Sequence, residues 1–248
     1  MKKLADSKVI VFDQGNTLVF DPFILILDHI KSEVSEILKK FSKNITAKDI
    51  RSNWVLANSK IDYPFISHFA QEEPIIIKML DLLKIDPLTQ SRIAPKILYL
   101  YRKNLPKFTQ KTSDKEKLHK VLSYLQSKQK RLGIFSNDRE FDLQANLQLL
   151  EIKNYFEYIR SSEDLKVEKP DQRVFEDIQT HFREKPEDII YIGDDPIRDV
   201  QAAKEYGMKA IWLKLDNKYN EKWRDYSKKP ACQPDAVISD IKELLHII

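Results

Sequence analysis

Four short runs of this 248-residue chain carry acidic, hydroxyl or ammonium side chains, and most of them follow short apolar segments. A strand-end carboxylate can act as a nucleophile, neighbouring carboxylates can bind Mg²⁺, and a lysine can neutralise an anion. The runs are, in chain order, Asp13 after Val9-Ile10-Val11-Phe12, Ser136-Asn137 after Leu132 to Phe135, Lys169-Pro170, and Gly193-Asp194-Asp195 with Asp199.

Each of these residues also has an ordinary explanation. Asp13 could be a turn residue, Ser136 likewise, and Lys169 a solvated lysine before a helix. Asp195 or Asp199 could cap the helix that follows, and this explanation is strongest for Asp195. The order and the strand-end positions of the whole set favour a common site, because a random chain rarely supplies all four runs.

Hydrophobic periodicity predicts the strands and helices that would position these four runs. Short β-branched runs at 9–12, 132–135, 189–192, 210–213 and 236–238 predict strands, and apolar spacing at 118–125 and 241–248 predicts helices. Ser113 with Glu116 predicts the cap of the first of these helices. Strands alternating with helices are typical of an α/β fold with a doubly wound parallel sheet, which places ligands at the carboxyl ends of its strands.

The segment 21–107 contains no strand pattern and predicts four or five helices inserted after the first strand. Asp21-Pro22, Thr46 with Asp49, and Asp86-Pro87 predict helix starts. Three prolines, Pro64, Pro74 and Pro106, predict breaks within the segment. We therefore expect a core domain of 1–20 and 108–248 and a helical domain of 21–107.

In this order the four runs resemble the haloacid dehalogenase superfamily, over about 8–20 and 110–248. The resemblance implies a Rossmann-like core, an inserted helical cap of the type-one subgroup, and Mg²⁺ as cofactor. It implies that Asp13 is the nucleophile, which forms an aspartyl phosphate, and that Lys169 neutralises the phosphoryl group and Asp13. It implies phosphate binding by Thr17, Ser136, Asn137 and Lys169, and metal binding by Asp13, the Gly15 carbonyl, Asp194 and Asp199.

Two residues of the first run depart from the family pattern. Gly15 replaces the aspartate that protonates the leaving oxygen and later activates water, whereas the metal-binding carbonyl at this position survives any substitution. Asn16 stands where glycine is usual, and asparagine tolerates positive φ better than most residues. A lost acid/base costs about 10²- to 10⁴-fold in rate, so we expect a preference for activated leaving groups. Asp138 and His68 are groups that could take over proton transfer.

The resulting prediction is a Mg²⁺-dependent phosphohydrolase that acts on a small phosphorylated metabolite. Dehalogenases also lack the second aspartate, but Asp194 and Asp199 argue against dehalogenation. Phosphonoacetaldehyde hydrolases have a small residue at the Gly15 position and a Schiff-base lysine in the cap, for which Lys31, Lys48 and Lys60 are available. A catalytically impaired binding protein is the remaining alternative, although it would not need the nucleophile.

Composition narrows the other function classes. The net charge of +4 is mild and the lysine-rich stretches are dispersed, so we expect no nucleic-acid partner. No segment is long and apolar enough to predict a membrane span, and the amino-terminal residues lack the pattern of a secretory signal. Cys232 is the single cysteine, which excludes an internal disulfide and fits a reducing compartment. We therefore expect a cytoplasmic protein.

Overall fold

The computed structural model describes residues 3–41, 44–60, 72–215 and 229–248. The chain divides into two compact units, one of Met1–Asp21 with Thr112–Ile248 and one of Pro22–Lys111. The domain boundaries predicted from the sequence lie after residues 20 and 107, within a few residues of these. The first unit holds the sheet, and the second is helical.

Six strands form one parallel sheet in the order β3-β2-β1-β4-β5-β6, which confirms the predicted fold class. The strands are β1 Val9–Phe12, β2 Arg131–Ser136, β3 Tyr158–Ser161, β4 Ile189–Gly193, β5 Lys209–Leu213 and β6 Ala236–Ile238. Strand β3 was not predicted. In β1, Val9 and Val11 pack in one apolar cluster while Ile10 and Phe12 pack in another. A strand covered on both faces must be apolar throughout, as the sequence of β1 is.

Helices connect the strands. In the sheet unit they are α5 Lys115–Ser127, α6 Glu140–Leu149, α7 Ser162–Leu165, α8 Gln172–Phe182, α9 Ala202–Tyr206 and α10 Leu244–Ile247. Helix α5 confirms the prediction for 118–125, but its cap is Asp114, which accepts a hydrogen bond from Lys117 N. The predicted cap Ser113 instead accepts from Phe20 N at 3.2 Å. The predicted helix at 241–248 begins as the 3₁₀ turn Ile241–Glu243.

The helical unit contains α1 Phe23–Lys39, α2 Ala47–Ser59, α3 Glu72–Leu82 and most of α4 Pro87–Thr112. The predicted capping box of Thr46 and Asp49 starts α2 and is confirmed. Pro106 does not break the segment, because α4 continues through Pro95 and Pro106. Pro74 lies in the first turn of α3, where the missing N–H costs little. Pro64 and His68 lie outside the described residues.

The register of the parallel strands brings their carboxyl ends together. Phe12 of β1 lies beside Ile134 of β2 and Ile192 of β4, so the residues that follow these positions share one edge of the sheet. Across the described residues, no helix is both long and apolar enough to cross a membrane.

Candidate active site

Asp13 directly follows β1, and its N–H donates to Ile192 O of β4 at 2.8 Å. Only 7% of the residue is exposed. Thr17 Oγ1 donates to Asp13 Oδ2 at 3.3 Å, which leaves the other carboxylate oxygen to a second partner. The strand end and this hydrogen bond fix the carboxylate at the carboxyl edge of the sheet.

Lys169 supplies that second partner. Its Nζ donates to Asp13 Oδ1 and to Asp199 Oδ1, both at 2.6 Å. The Asn137 side chain holds the lysine backbone in place, donating to Lys169 O at 3.0 Å and accepting from Lys169 N at 2.9 Å. A carboxylate at the end of β1 and one in the turn that follows β4 therefore share one buried ammonium. The sequence predicts that Pro170 starts the following helix, but α8 begins at Gln172 with Asp171 as its cap.

Three carboxylates converge next to this ion pair. Ligand oxygens of Asp13, Asp194 and Asp199 all lie within 4.8 Å of one another, and all three residues are buried. Asp194 follows β4, and its carbonyl accepts from Trp212 Nε1 of β5 at 3.0 Å. Asp199 Oδ2 accepts from Asp195 N at 3.0 Å, so this side chain is held at both oxygens.

Asp195 has the capping role considered from the sequence. Its Oδ1 accepts from Ile197 N at 2.9 Å and from Arg198 N at 2.8 Å, at the start of the π-helical turn Pro196–Gln201. Burial would raise the pKa of Asp195, but Arg198 and these backbone donors hold it below its usual value. Asp195 thus organises the turn that carries Asp199.

Burial dominates the electrostatics of the shared ion pair. It raises the pKa of Asp13, against the opposing effect of Lys169, and Asp194 raises it further. Burial likewise raises the pKa of Asp199 despite Lys169. Burial alone would lower the pKa of Lys169, but the two carboxylates outweigh it and hold that pKa well above its usual value. One ammonium therefore does not bring the pKa values of both buried carboxylates down to their usual range.

The other residues predicted for the site lie in the same region of the sheet unit. Ser136 ends β2 and is buried, and its Oγ donates to Asp138 Oδ2 at 2.9 Å. Asn137 contacts the Lys169 backbone, a role that the sequence did not predict. Gly15 lies in the loop after β1, where an added Cβ would meet no heavy atom within 4 Å. Asn16 adopts φ 56°, so the loop turns as expected without glycine.

Two aromatic residues that sequence reasoning did not select complete the surroundings of Lys169. Its Nζ lies 5.3 Å from the centroid of the Tyr191 ring and 5.9 Å from that of the Phe135 ring. Both residues belong to strands whose apolar pattern gives no sign of this role. The described geometry thus provides a buried carboxylate beside an ammonium, a cluster of hard oxygen ligands, and a nearby hydroxyl.

Comparison with known proteins relates this geometry to a family. The model of the haloacid dehalogenase-like hydrolase family matches residues 65–213. The chain is 30% identical over 129 residues to glyceraldehyde 3-phosphate phosphatase of Pyrococcus furiosus, covering 52% of each chain. It is 26% identical over 223 residues to the rhythmically expressed gene 2 protein of Drosophila melanogaster, covering 84% of this chain and 83% of that protein. The chain spans about half the length of the first curated relatives it matches.

Solved structures share the fold at low sequence identity. A phosphatase from Thermococcus onnurineus has a TM-score of 0.65 and 18% identity, with 97% of each chain covered. A 2-haloacid dehalogenase from Pseudomonas syringae has a TM-score of 0.59 and 19% identity, again with 97% of each chain covered. Because the two neighbours carry out different reactions according to their names, the likeness identifies the architecture alone.

Proposed function

Because the chain belongs to the haloacid dehalogenase-like hydrolase family, we propose that it is a phosphohydrolase that acts on a small phosphorylated metabolite through an aspartyl phosphate. The observation that carries the proposal is the buried Asp13 carboxylate, 2.6 Å from Lys169 Nζ and clustered with two further carboxylates. Relatives named as glyceraldehyde 3-phosphate, phosphoserine and phosphoglycolate phosphatases support the reaction class. We also propose that the helical unit is a type-one cap domain.

The residues present fit a divalent cation. Asp13, Asp194 and Asp199 offer hard oxygen ligands within 4.8 Å of one another, and Mg²⁺ is bound through a few such oxygens with water in the other positions. The backbone carbonyl of Gly15 is the fourth group that we assign to the site. When bound, Mg²⁺ would neutralise charge on the phosphoryl oxygens and lower the pKa of the carboxylates beside it.

The first half-reaction uses Asp13 as the nucleophile. An Asp13 carboxylate oxygen forms a bond to phosphorus while the bond from phosphorus to the leaving oxygen breaks, giving an aspartyl phosphate. Lys169 offsets the charge that develops on the phosphoryl oxygens, and Thr17 orients the nucleophile through its hydrogen bond to Oδ2. Ser136 and Asn137 lie at the end of β2, where we place the other phosphate contacts.

The second half-reaction returns the enzyme to its initial state. Water forms a bond to phosphorus, the bond from phosphorus to Asp13 breaks, and the carboxylate and inorganic phosphate are released. Gly15 has no group that could donate a proton in the first half or accept one in the second. We therefore propose that leaving groups which depart without an acid, such as aryl, acyl or anhydride-linked phosphates, are preferred.

Three alternatives have less support. A Schiff-base mechanism needs a reactive lysine, but Lys31 pairs with Asp28 at 2.7 Å, and Lys48 and Lys60 are exposed. A protein that only binds phosphate would have no use for a buried nucleophile paired with an ammonium. Dehalogenation is disfavoured because Asp194 and Asp199 cluster with Asp13 as ligands that could hold a metal. The cytoplasmic location stays a prediction from composition.

The test is release of phosphate from p-nitrophenyl phosphate in the presence of Mg²⁺. Asp13→Asn should reduce turnover to less than about a hundredth of the wild-type rate, because removal of a covalent nucleophile cannot be compensated. Asp164→Asn is the matched control, since this carboxylate is exposed and pairs with Arg160. If Asp13→Asn retains more activity, the assignment is wrong. Cleavage of a phosphonate without ester hydrolysis would favour the Schiff-base alternative, and neither activity would favour the binding protein.

A further inference from the structure

Asp138 lies two residues beyond the end of β2 and has no role in the steps above. Its Oδ2 accepts from Ser136 Oγ at 2.9 Å, and its own N–H donates back to Ser136 Oγ at 3.3 Å. The residue is partly exposed, unlike the buried Ser136. If Ser136 contacts the phosphate, as the proposed function holds, the Asp138 carboxylate lies one hydrogen bond away from that contact.

The loop around Asp138 is held in place on both sides. The Asn137 side chain makes two hydrogen bonds to the backbone of Lys169, at 2.9 and 3.0 Å. Ser162 Oγ donates to Asp138 O at 3.4 Å, and Glu163 accepts from Glu140 N at 2.8 Å. A carboxylate on a loop fixed in this way is preorganised for recognition, because little further ordering is needed on binding.

The charge of Asp138 acts within the site. The adjacent Arg139 pairs with Asp142, Nε to Oδ2 at 2.7 Å. Burial is the main reason that the pKa of Asp13 is raised, but the Asp138 charge contributes in the same direction. A second negative group on the substrate would therefore meet a repulsive field beside Ser136, whereas an ammonium or hydroxyl group would meet an acceptor.

We propose that Asp138 is a specificity-determining residue, which favours phosphates whose leaving group carries a hydrogen-bond donor next to the phosphate and disfavours those with a carboxylate there. This proposal rests on the proposed function in one respect, namely that the phosphate of the substrate contacts Ser136. An ammonium should be favoured most, a hydroxyl group less, and a carboxylate least. This ranking follows from the negative charge of the Asp138 carboxylate.

Four two-carbon phosphates of the same skeleton test the ranking: 2-aminoethyl, 2-hydroxyethyl, ethyl and carboxymethyl phosphate. Each is measured as a competitive inhibitor of p-nitrophenyl phosphate turnover, so that slow cleavage of alkyl phosphates does not affect the result. In the wild type, 2-aminoethyl phosphate should bind more tightly than carboxymethyl phosphate. In Asp138→Asn, the ratio of these two inhibition constants should shrink by about tenfold, since juxtaposed like charges no longer oppose the carboxylate.

Glu151→Gln is the matched control, since it removes one negative charge beyond the opposite end of α6, where Glu151 is exposed. Asp138→Ser is a second variant, which keeps a hydrogen-bonding group without the charge and decides the question if Asp138→Asn does not fold. An unchanged ratio in a folded Asp138 variant, or an equal change in Glu151→Gln, would overturn the proposal. An equal weakening of all four ligands would show a structural role and would overturn it too.

The proposed function can fail separately. Absence of p-nitrophenyl phosphate turnover in the wild type would count against the phosphohydrolase. The dissociation constants of the same four phosphates, measured by calorimetry on wild type and Asp138→Asn, would then decide the specificity proposal. A charge-dependent ratio that is lost in the variant would support it, and equal ratios in the two proteins would refute it.

Discussion

Gly193, the last residue of β4, should tolerate no side chain. A Cβ at this position would lie 2.3 Å from Asp199 Oδ2, 2.4 Å from its Cγ and 2.5 Å from its Cβ. Asp199 cannot turn away at low cost, because Oδ1 accepts from Lys169 and Oδ2 accepts from Asp195 N. Gly193→Ala should therefore displace Asp199 and break its contact with Lys169.

The magnitude follows from two contributions. Overpacking of a dense interior costs about 1–3 kcal/mol, and loss of a hydrogen bond to a charged group costs about 1.5–3 kcal/mol. Together we expect the free energy of unfolding of the sheet unit to fall by about 2.5–6 kcal/mol, out of a typical total of about 5–15 kcal/mol. At about 2–4 °C per kcal/mol for a domain of this size, the Tm should fall by about 10 °C.

The other glycines provide controls for chemical and thermal denaturation. At Gly15 an added Cβ would meet nothing within 4 Å, so Gly15→Ala should be neutral or stabilising by about 0.4–1 kcal/mol. At Gly133 the added atom would lie 3.0 Å from the Phe182 ring, which predicts an intermediate loss. If Gly193→Ala leaves the Tm within about 2 °C of the wild type, Asp199 is not held as described and the reasoning fails.

Three further predictions concern the chemistry. Chelation with EDTA should abolish p-nitrophenyl phosphate hydrolysis and added Mg²⁺ should restore it, whereas full activity in excess EDTA would refute the metal site. Rapid-mix assays with an aryl phosphate should show a burst of leaving-group release near one equivalent per active site. Gly15→Asp should shrink this burst and raise the steady-state rate. If no burst is seen and alkyl phosphates are hydrolysed efficiently, another group transfers the proton. Lys169→Met should lower turnover by about 10²- to 10³-fold. In EDTA the free energy of unfolding of the Lys169→Met variant should rise as the pH falls from 8 to 5. The reason is that the raised pKa values of Asp13 and Asp199 make the folded state bind protons that the unfolded state releases. A free energy of unfolding that does not change over this pH range would contradict the prediction.

Much of the sheet could be predicted because its central strands are apolar on both faces. Every residue of β1 and β4 is buried, and such runs stand out in a sequence. Strand β3 escaped prediction because it includes the exposed Arg160, whereas β6 at the other edge of the sheet is a short run without charge. An edge strand with one charged residue in four lacks both the continuous apolar run and a clear alternation.

Helix boundaries failed where contacts distant in sequence decided them. Ser113 has the local pattern of a cap, but its hydroxyl binds Phe20 N, 93 residues earlier in the chain. Pro106 has the local pattern of a break, but α4 buries residues on both sides of it, including Tyr101 and Phe108. Burial along the helix outweighs the single backbone hydrogen bond that each proline removes.

The residue types of the candidate site and the contact of Lys169 with Asp13 could be predicted, the latter from the family resemblance, whereas the other pairings could not. A carboxylate, a hydroxyl or an ammonium is recognisable from its chemistry and its place after a strand. That Lys169 also contacts Asp199, and that Asn137 holds the Lys169 backbone, depends on how the fold brings the residues after β2 and β4 together. Such pairing is set by the fold in three dimensions and leaves no spacing pattern in the sequence.

The net charge of the site suggests a second effect of Gly15, besides the loss of a proton donor. The three carboxylates and the single ammonium have a net charge of −2 when all four are ionised, so a phosphate dianion would be repelled until a divalent cation joins them. A further aspartate at position 15 would make that repulsion stronger. Glycine at this position therefore weakens the repulsion that an incoming dianion meets, which predicts that Gly15→Asp lowers kcat/KM for an aryl phosphate while it raises kcat.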